Sequence, residues 1–169
     1  GVLFKTEENH RYFLELYKRY ISPVAETFCY CLMPNHFHFL IRVRSLEELE
    51  GFFLETKKGL NEKDLTGFEN PSSLISQQFS NFLNAYAKAF NKQHHRKGSL
   101  FMRPYKRKRV TDERYLLKLV HYIHYNPKEA ELCNRLEDYP YSSYKSICLG
   151  SSKNLSSLEV LNWFGDLQN

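Results

Sequence analysis

Residues 28–44, Phe-Cys-Tyr-Cys-Leu-Met-Pro-Asn-His-Phe-His-Phe-Leu-Ile-Arg-Val-Arg, leave this chain few ways to fold. From position 36 onward two sets interleave: Phe37, Phe39, Ile41 and Val43 in one, and His36, His38, Leu40, Arg42 and Arg44 in the other. Successive side chains on a β-strand point to opposite faces, so this is the period of a half-buried strand. With the first set turned to a core, both imidazoles project from the opposite face. There they stand close enough to share one metal ion with a third ligand from elsewhere. Two histidines on a strand also occur without any metal, so the rest of the chain has to separate the two readings.

The flanking segments have recognisable starts and stops. Thr6 followed by Glu7 and Glu8 opens a helix over 6–21, with Tyr12, Phe13, Leu16, Tyr17 and Tyr20 at helical spacing and Pro23 ending it. A strand from about Val24 to Met33 follows, and Pro34-Asn35 connects it to the histidine strand as a hairpin or bent ribbon. Leu46, Leu49, Phe52 and Phe53 suit a short helix, and residues 59–71 read as a polar, turn-rich connection. A longer core helix runs from about Pro71 to Asn91. A Gly98-Ser99 turn then leads to a short strand near Tyr105–Val110. Thr111, Asp112 and Glu113 start a helix whose buried stripe is Leu116, Leu119, Val120 and Ile123; Pro127 is expected to stop it at Asn126. A last short helix falls near 156–164.

Composition narrows the class. With 169 residues, 42% of them hydrophobic and 25% charged, the chain has the size and make-up of one ordinary globular domain with its own core. Its sequence holds no apolar run near the ~20 residues a membrane span needs and no signal-like start, so a cytoplasmic protein without membrane contact is expected. Cys29, Cys31, Cys133 and Cys148 lack the spacing of a zinc ribbon and read as reduced thiols. The net charge of +5 is concentrated: Lys92, Arg96, Lys97, Arg103, Lys106, Arg107, Lys108 and Arg109 fall in a block without an acidic residue. Such a block is a solvated face or a nucleic-acid track.

On the helix that starts at 111, Tyr122 and Asn126 lie four residues apart and share a face away from the buried stripe. A phenol is a weak nucleophile near neutral pH because its pKa is close to 10. A nearby cation stabilises the phenolate and polarises the group it attacks. Two histidines and an amide oxygen would suit that cation. Alternatively, Tyr122 packs at a surface and Asn126 caps a helix end.

Leu32-Met33-Pro34-Asn35-His36-Phe37-His38-Phe39-Leu40 resembles the histidine-hydrophobe-histidine motif of single-tyrosine transposases, especially the REP-associated tyrosine transposases. Tyr122-Ile123-His124-Tyr125-Asn126-Pro127 resembles their tyrosine helix, and Asp138-Tyr139-Pro140-Tyr141-Ser142-Ser143-Tyr144 the segment after it. The likeness covers most of residues 4–144, with the motifs in order. It implies an α+β fold, a ferredoxin-like antiparallel sheet with helices packed on one face. Residues 1–148 would be the catalytic domain and 149–169 a C-terminal extension with a short helix. It further implies binding of single-stranded or hairpin DNA and metal-dependent endonuclease and strand-transfer chemistry through a 5′-phosphotyrosine. Tyr122 would be the nucleophile, His36 and His38 metal ligands, and Asn126 the third ligand, where related enzymes often carry glutamine. No nucleotide cofactor is required.

Phosphate oxygens and water favour Mg²⁺ while two imidazoles favour Mn²⁺, so the expected cofactor is one of these two ions. Arg42, Arg44, Arg96, Lys97, Arg103, Lys106, Arg107, Lys108 and Arg109 are the expected DNA contacts. The family has a first, central strand ahead of the segment at Leu3–Asn9, and the expectation is that this natural start is missing from the chain. The resemblance leaves open whether the tyrosine helix serves its own chain or is exchanged across a homodimer. Competing readings are a domesticated hairpin-DNA-binding protein and a metal-dependent phosphodiesterase with no covalent step.

Overall fold

A computed structural model of the chain describes residues 1–58, 71–102, 106–152 and 154–165. The expected connection at 59–70, Arg103 and Tyr105 lie outside them. Among the described residues the architecture is α+β: a two-stranded antiparallel sheet with helices packed against it, consistent with a ferredoxin-like arrangement. Helices α1 (Glu7–Tyr20), α2 (Leu46–Lys58), α3 (Pro71–Gln93), α4 (Glu113–Glu129), α5 (Tyr144–Cys148) and α6 (Ser157–Gly165) accompany strands β1 (Ala25–Met33) and β2 (His36–Val43). No described helix is long and apolar enough to cross a membrane.

Local chemistry sets several boundaries. The Thr6 hydroxyl accepts from the Asn9 amide at 3.3 Å, and the Asn9 side-chain oxygen accepts from the Lys5 and Thr6 amides, a reciprocal cap with asparagine in the usual acidic position. Ser45 and Glu48 cap α2 in the same two-way fashion. Pro34-Asn35 closes the β1–β2 hairpin, and the Pro34 carbonyl accepts from the Leu3 and Phe4 amides. At the start of α4 the Asp112 carboxylate accepts from the Arg114 amide at 2.9 Å.

The described residues form two units. One comprises residues 1–10, 27–42 and 102–169, and the other residues 11–26 and 43–101. The first is built on Phe28, Cys29, Cys31 and Met33 of β1, Leu40 of β2, Val120 and Ile123 of α4, Tyr139, Ile147 and Val160. Residues 141–143 pair with the edge of β1 through an antiparallel bridge between Cys31 and Ser142, and the Tyr141 carbonyl accepts from the Leu32 amide. In the second unit Val24, Leu49 and Leu74 cluster, and Phe13 meets Phe82 and Tyr86 at ring distances of 4.7 and 4.8 Å.

Three details differ from the sequence reading. Residues 106–110 form no strand. Four consecutive cations offer no apolar face to fix a register, and only Val110 packs against the core. Helix α4 passes through Pro127 to Glu129 rather than ending at Asn126. The proline cannot donate to the Ile123 carbonyl, yet its side chain is fully buried, and that burial offsets the missing bond. The only fully buried residue of β2 is Leu40, on the histidine face, because α4 packs against that face as well.

Candidate active site

Strand β2 starts at His36 directly after the hairpin turn, so the pleat sets His36 and His38 on one face with ring centres 4.9 Å apart. Helix α4 brings Tyr122 to the same place. Its ring stands edge-on to His38, with centroids 5.6 Å apart at 72°. Its side chain remains 49% exposed, and His36 is exposed too. All of these residues belong to one unit of one chain.

The protonation of the two imidazoles follows from their surroundings. His36 Nδ1 lies 2.7 Å from the Asn35 side-chain oxygen, which can only accept, so Nδ1 carries the proton and Nε2 keeps its lone pair. His38 Nε2 is buried and has no hydrogen-bond partner among the described residues. Burial pushes both imidazoles below the usual histidine range, and for His38 the neighbouring His36 adds to the effect. Both are therefore neutral at pH 7, the form that ligates metals. An orphaned buried nitrogen costs ~1–3 kcal/mol unless something binds it, so these residues fit a cation.

Asn126 is buried, and its side-chain N–H donates to the Tyr122 carbonyl at 2.6 Å, which fixes the plane of the amide. Among the described residues no cluster of three His, Cys, Asp or Glu side chains forms. A cation held here would thus take two imidazoles and complete its shell with amide, water or substrate oxygens, a set suited to Mg²⁺ or Mn²⁺. A cleft of about 580 Å³ bounded by Asp138, Ser142 and Lys145 includes none of the four residues. Of these residues Tyr122 and His36 are exposed, while Asn126 and the Nε2 of His38 are buried.

The expected DNA contacts are distributed unevenly. Arg42 makes a two-pronged ion pair with Glu159 of α6 at 2.8 and 3.0 Å and lies 5.1 Å from the Phe28 ring. Arg44 belongs to the other unit, where it bonds the Ser22 carbonyl and faces Glu26 and Glu48. Arg96 in that unit bonds Asn91 and the Ser99 carbonyl, and Lys97 is exposed. Lys106, Arg107, Lys108 and Arg109 are exposed in the unit that holds the histidines, with Lys108 5.0 Å from the Tyr115 ring.

Sequence reasoning misses three contributors. Asn35 reads only as a turn residue, although its place beside His36 makes it an orienting partner. His124 is buried in α4, its pKa pushed down to about 4 by burial, and its Nε2 lies 2.9 Å from the Ser143 hydroxyl. The buried Tyr139 hydroxyl donates to the Leu32 carbonyl at 2.7 Å, tying β1 down just before the hairpin.

Comparison with known proteins gives one informative likeness. The "Putative REP-associated tyrosine transposase" of Haemophilus influenzae is 26% identical to this chain over 121 residues. The matched stretch is 70% of this chain and 58% of that protein, so the chain spans just over half the length of this relative. No family model matches the chain, and no solved structure matches it significantly.

Proposed function

We propose that this chain is a transposase-type enzyme that cuts and rejoins single-stranded or hairpin DNA by transesterification, with Tyr122 as nucleophile. One observation carries the reading: the exposed Tyr122 ring stands 5.6 Å, centre to centre, from His38, whose buried Nε2 has no partner among the described residues. The likeness to the Haemophilus influenzae protein supports it independently.

In this reading Tyr122 Oη attacks the phosphorus of a phosphodiester. A bond forms between Oη and phosphorus while the bond to the 3′ oxygen breaks, and the phenolic proton ends, through solvent, on the leaving 3′ oxygen. The products are a 5′-phosphotyrosine and a free 3′-hydroxyl. The bond energy is kept for the reverse attack, so no nucleotide cofactor is consumed. His36 and His38 would hold a divalent ion, Mg²⁺ or Mn²⁺, with Asn126 as third ligand. That ion would withdraw charge from the phosphate oxygens. Asn35 holds the His36 ring in its ligating tautomer, and the amide of Asn126 is fixed by its bond to the Tyr122 carbonyl. Tyr122 stands beside His38 of its own chain, which supports a site assembled in cis. The Lys106–Arg109 run supplies phosphate contacts.

The test uses hairpin-bearing oligonucleotides labelled at the 3′ end, incubated with Mg²⁺ or Mn²⁺ and resolved on denaturing gels. A labelled, protein-linked band is expected, absent in Tyr122→Phe while DNA binding persists. Cleavage that continues in Tyr122→Phe would favour a water-activating phosphodiesterase, and binding without cleavage in the wild type would favour a DNA-binding protein that no longer cuts.

A further inference from the structure

Ser143 is completely buried, and its hydroxyl is the centre of a compact junction. It accepts from the Tyr30 amide at 2.8 Å and donates to the Tyr30 carbonyl at 3.2 Å. The Ser143 amide donates to that same carbonyl at 3.0 Å. With the hydroxyl proton directed to Tyr30, the 2.9 Å contact to His124 requires His124 Nε2–H to donate to the Ser143 oxygen. The edge of the Tyr144 ring adds a lateral wall at 5.5 Å. One side chain of α4 is thus bonded to the segment at 141–143, and through it to the backbone of β1.

The place of this junction along α4 matters. His124 is two residues from Tyr122, and at about 100° per residue the two side chains leave the helix about 200° apart. His124 therefore grips the helix from the side opposite the nucleophile. The grip adds to that of the buried Val120, Ile123 and Pro127 in a stretch where Pro127 leaves the Ile123 carbonyl without its helical donor. With a side-chain radius of about 5–6 Å, a rotation of α4 by about 10° around its axis moves the tip of Tyr122 by roughly 1 Å. A misplacement of that size can cost on the order of 100-fold in rate.

We infer that His124, held by Ser143, is a positioning residue that sets the rotation of α4 and thereby the aim of the Tyr122 hydroxyl beside His36 and His38. This rests on the reading of Tyr122 as nucleophile. His124 does not touch substrate; it acts through the helix.

The experiment compares His124→Phe, which keeps a ring against Tyr144 but loses the N–H, with His124→Gln, which restores an N–H of similar reach. Single-turnover adduct formation is measured at saturating single-stranded oligonucleotide with Mn²⁺. DNA affinity without metal and the melting temperature are measured on the same samples. His124→Phe should form adduct about 10–100-fold more slowly, with DNA affinity within about threefold of wild type and the protein folded at the assay temperature. His124→Gln should recover most of the rate. Wild-type rates in His124→Phe would overturn the inference, as would a rate loss explained by lost folding or binding, or a failure of His124→Gln to recover. A wild-type protein that forms no adduct is a separate outcome: it overturns the nucleophile reading itself, and the positioning role with it.

Discussion

Replacing His38 by leucine separates function from stability at a single atom. His38 Nε2 is buried without a hydrogen-bond partner among the described residues, a state that costs the apo protein ~1–3 kcal/mol. Leucine removes that cost and keeps an apolar side chain of similar size on the strand. It also gives up the edge-on packing with Tyr122 and with His36, both exposed, each worth about 0.5 kcal/mol at the low end of the range for such pairs. The difference leaves His38→Leu more stable than wild type by about 1 kcal/mol in EDTA, a rise of roughly 2–4 °C in melting temperature for a chain of this size. Added Mn²⁺ should reverse the order. At a metal concentration about 100 times the dissociation constant, the wild type gains about 2.7 kcal/mol, or roughly 5–10 °C, and the variant gains nothing. Thermal denaturation of both proteins in EDTA and in millimolar Mn²⁺ measures both shifts. A variant several degrees less stable than wild type in EDTA, or one that keeps the full Mn²⁺ shift, would refute the idea that this nitrogen is reserved for a cation.

Further outcomes follow from the same geometry. Neutralising Lys106, Arg107, Lys108 and Arg109 together to glutamine should flatten the dependence of single-strand affinity on salt. The log–log slope should fall by ~0.7 for each phosphate no longer neutralised, up to about 3, as read by fluorescence anisotropy. Tyr139→Phe leaves the Leu32 carbonyl without its 2.7 Å donor and should lower stability by about 1.5 kcal/mol, or roughly 3–6 °C by calorimetry. His10 is buried, stacked on Phe4 and Tyr141 at 4.6 and 3.5 Å, and burial holds its pKa below the usual 6.5. The unfolded chain therefore binds a proton more readily, so stability present above about pH 6.5 is lost as pH falls through that value. His10→Phe, which keeps the stack without the titration, should reduce the loss in melting temperature between about pH 7.5 and 5.5; an unchanged slope would contradict the assignment.

The sequence was most legible where chemistry repeats over a short span. Alternation over 36–43 located β2, Thr6 with Glu7 and Glu8 and the apolar spacing behind them located α1, and Pro34-Asn35 located the hairpin turn. The partnership of the histidines with Tyr122 was readable only through motif likeness, since the two strand residues and the helix residue lie more than 80 positions apart along the chain and share no local period. Pro127 misled because a local rule about proline lost to burial of its ring in the core. The absence of a strand at 106–110 reflects the same limit: an extended cationic run becomes a strand only where a neighbouring edge accepts it, and no local pattern encodes that neighbour. His124 and Ser143 were silent for a related reason. A hydrogen bond across 19 residues leaves no periodic trace, although both side chains occur within the segments that resemble the transposase family.

The most direct test of the nucleophile assignment is peptide mapping of the covalent adduct by mass spectrometry, after wild-type protein has reacted with a hairpin oligonucleotide in Mn²⁺. A nucleotide joined through its 5′-phosphate to the peptide carrying Tyr122, and to no other tyrosine, is the expected product. An adduct mapped to a different residue, or cleaved DNA with free 5′-phosphates and no protein-linked product, would contradict the assignment.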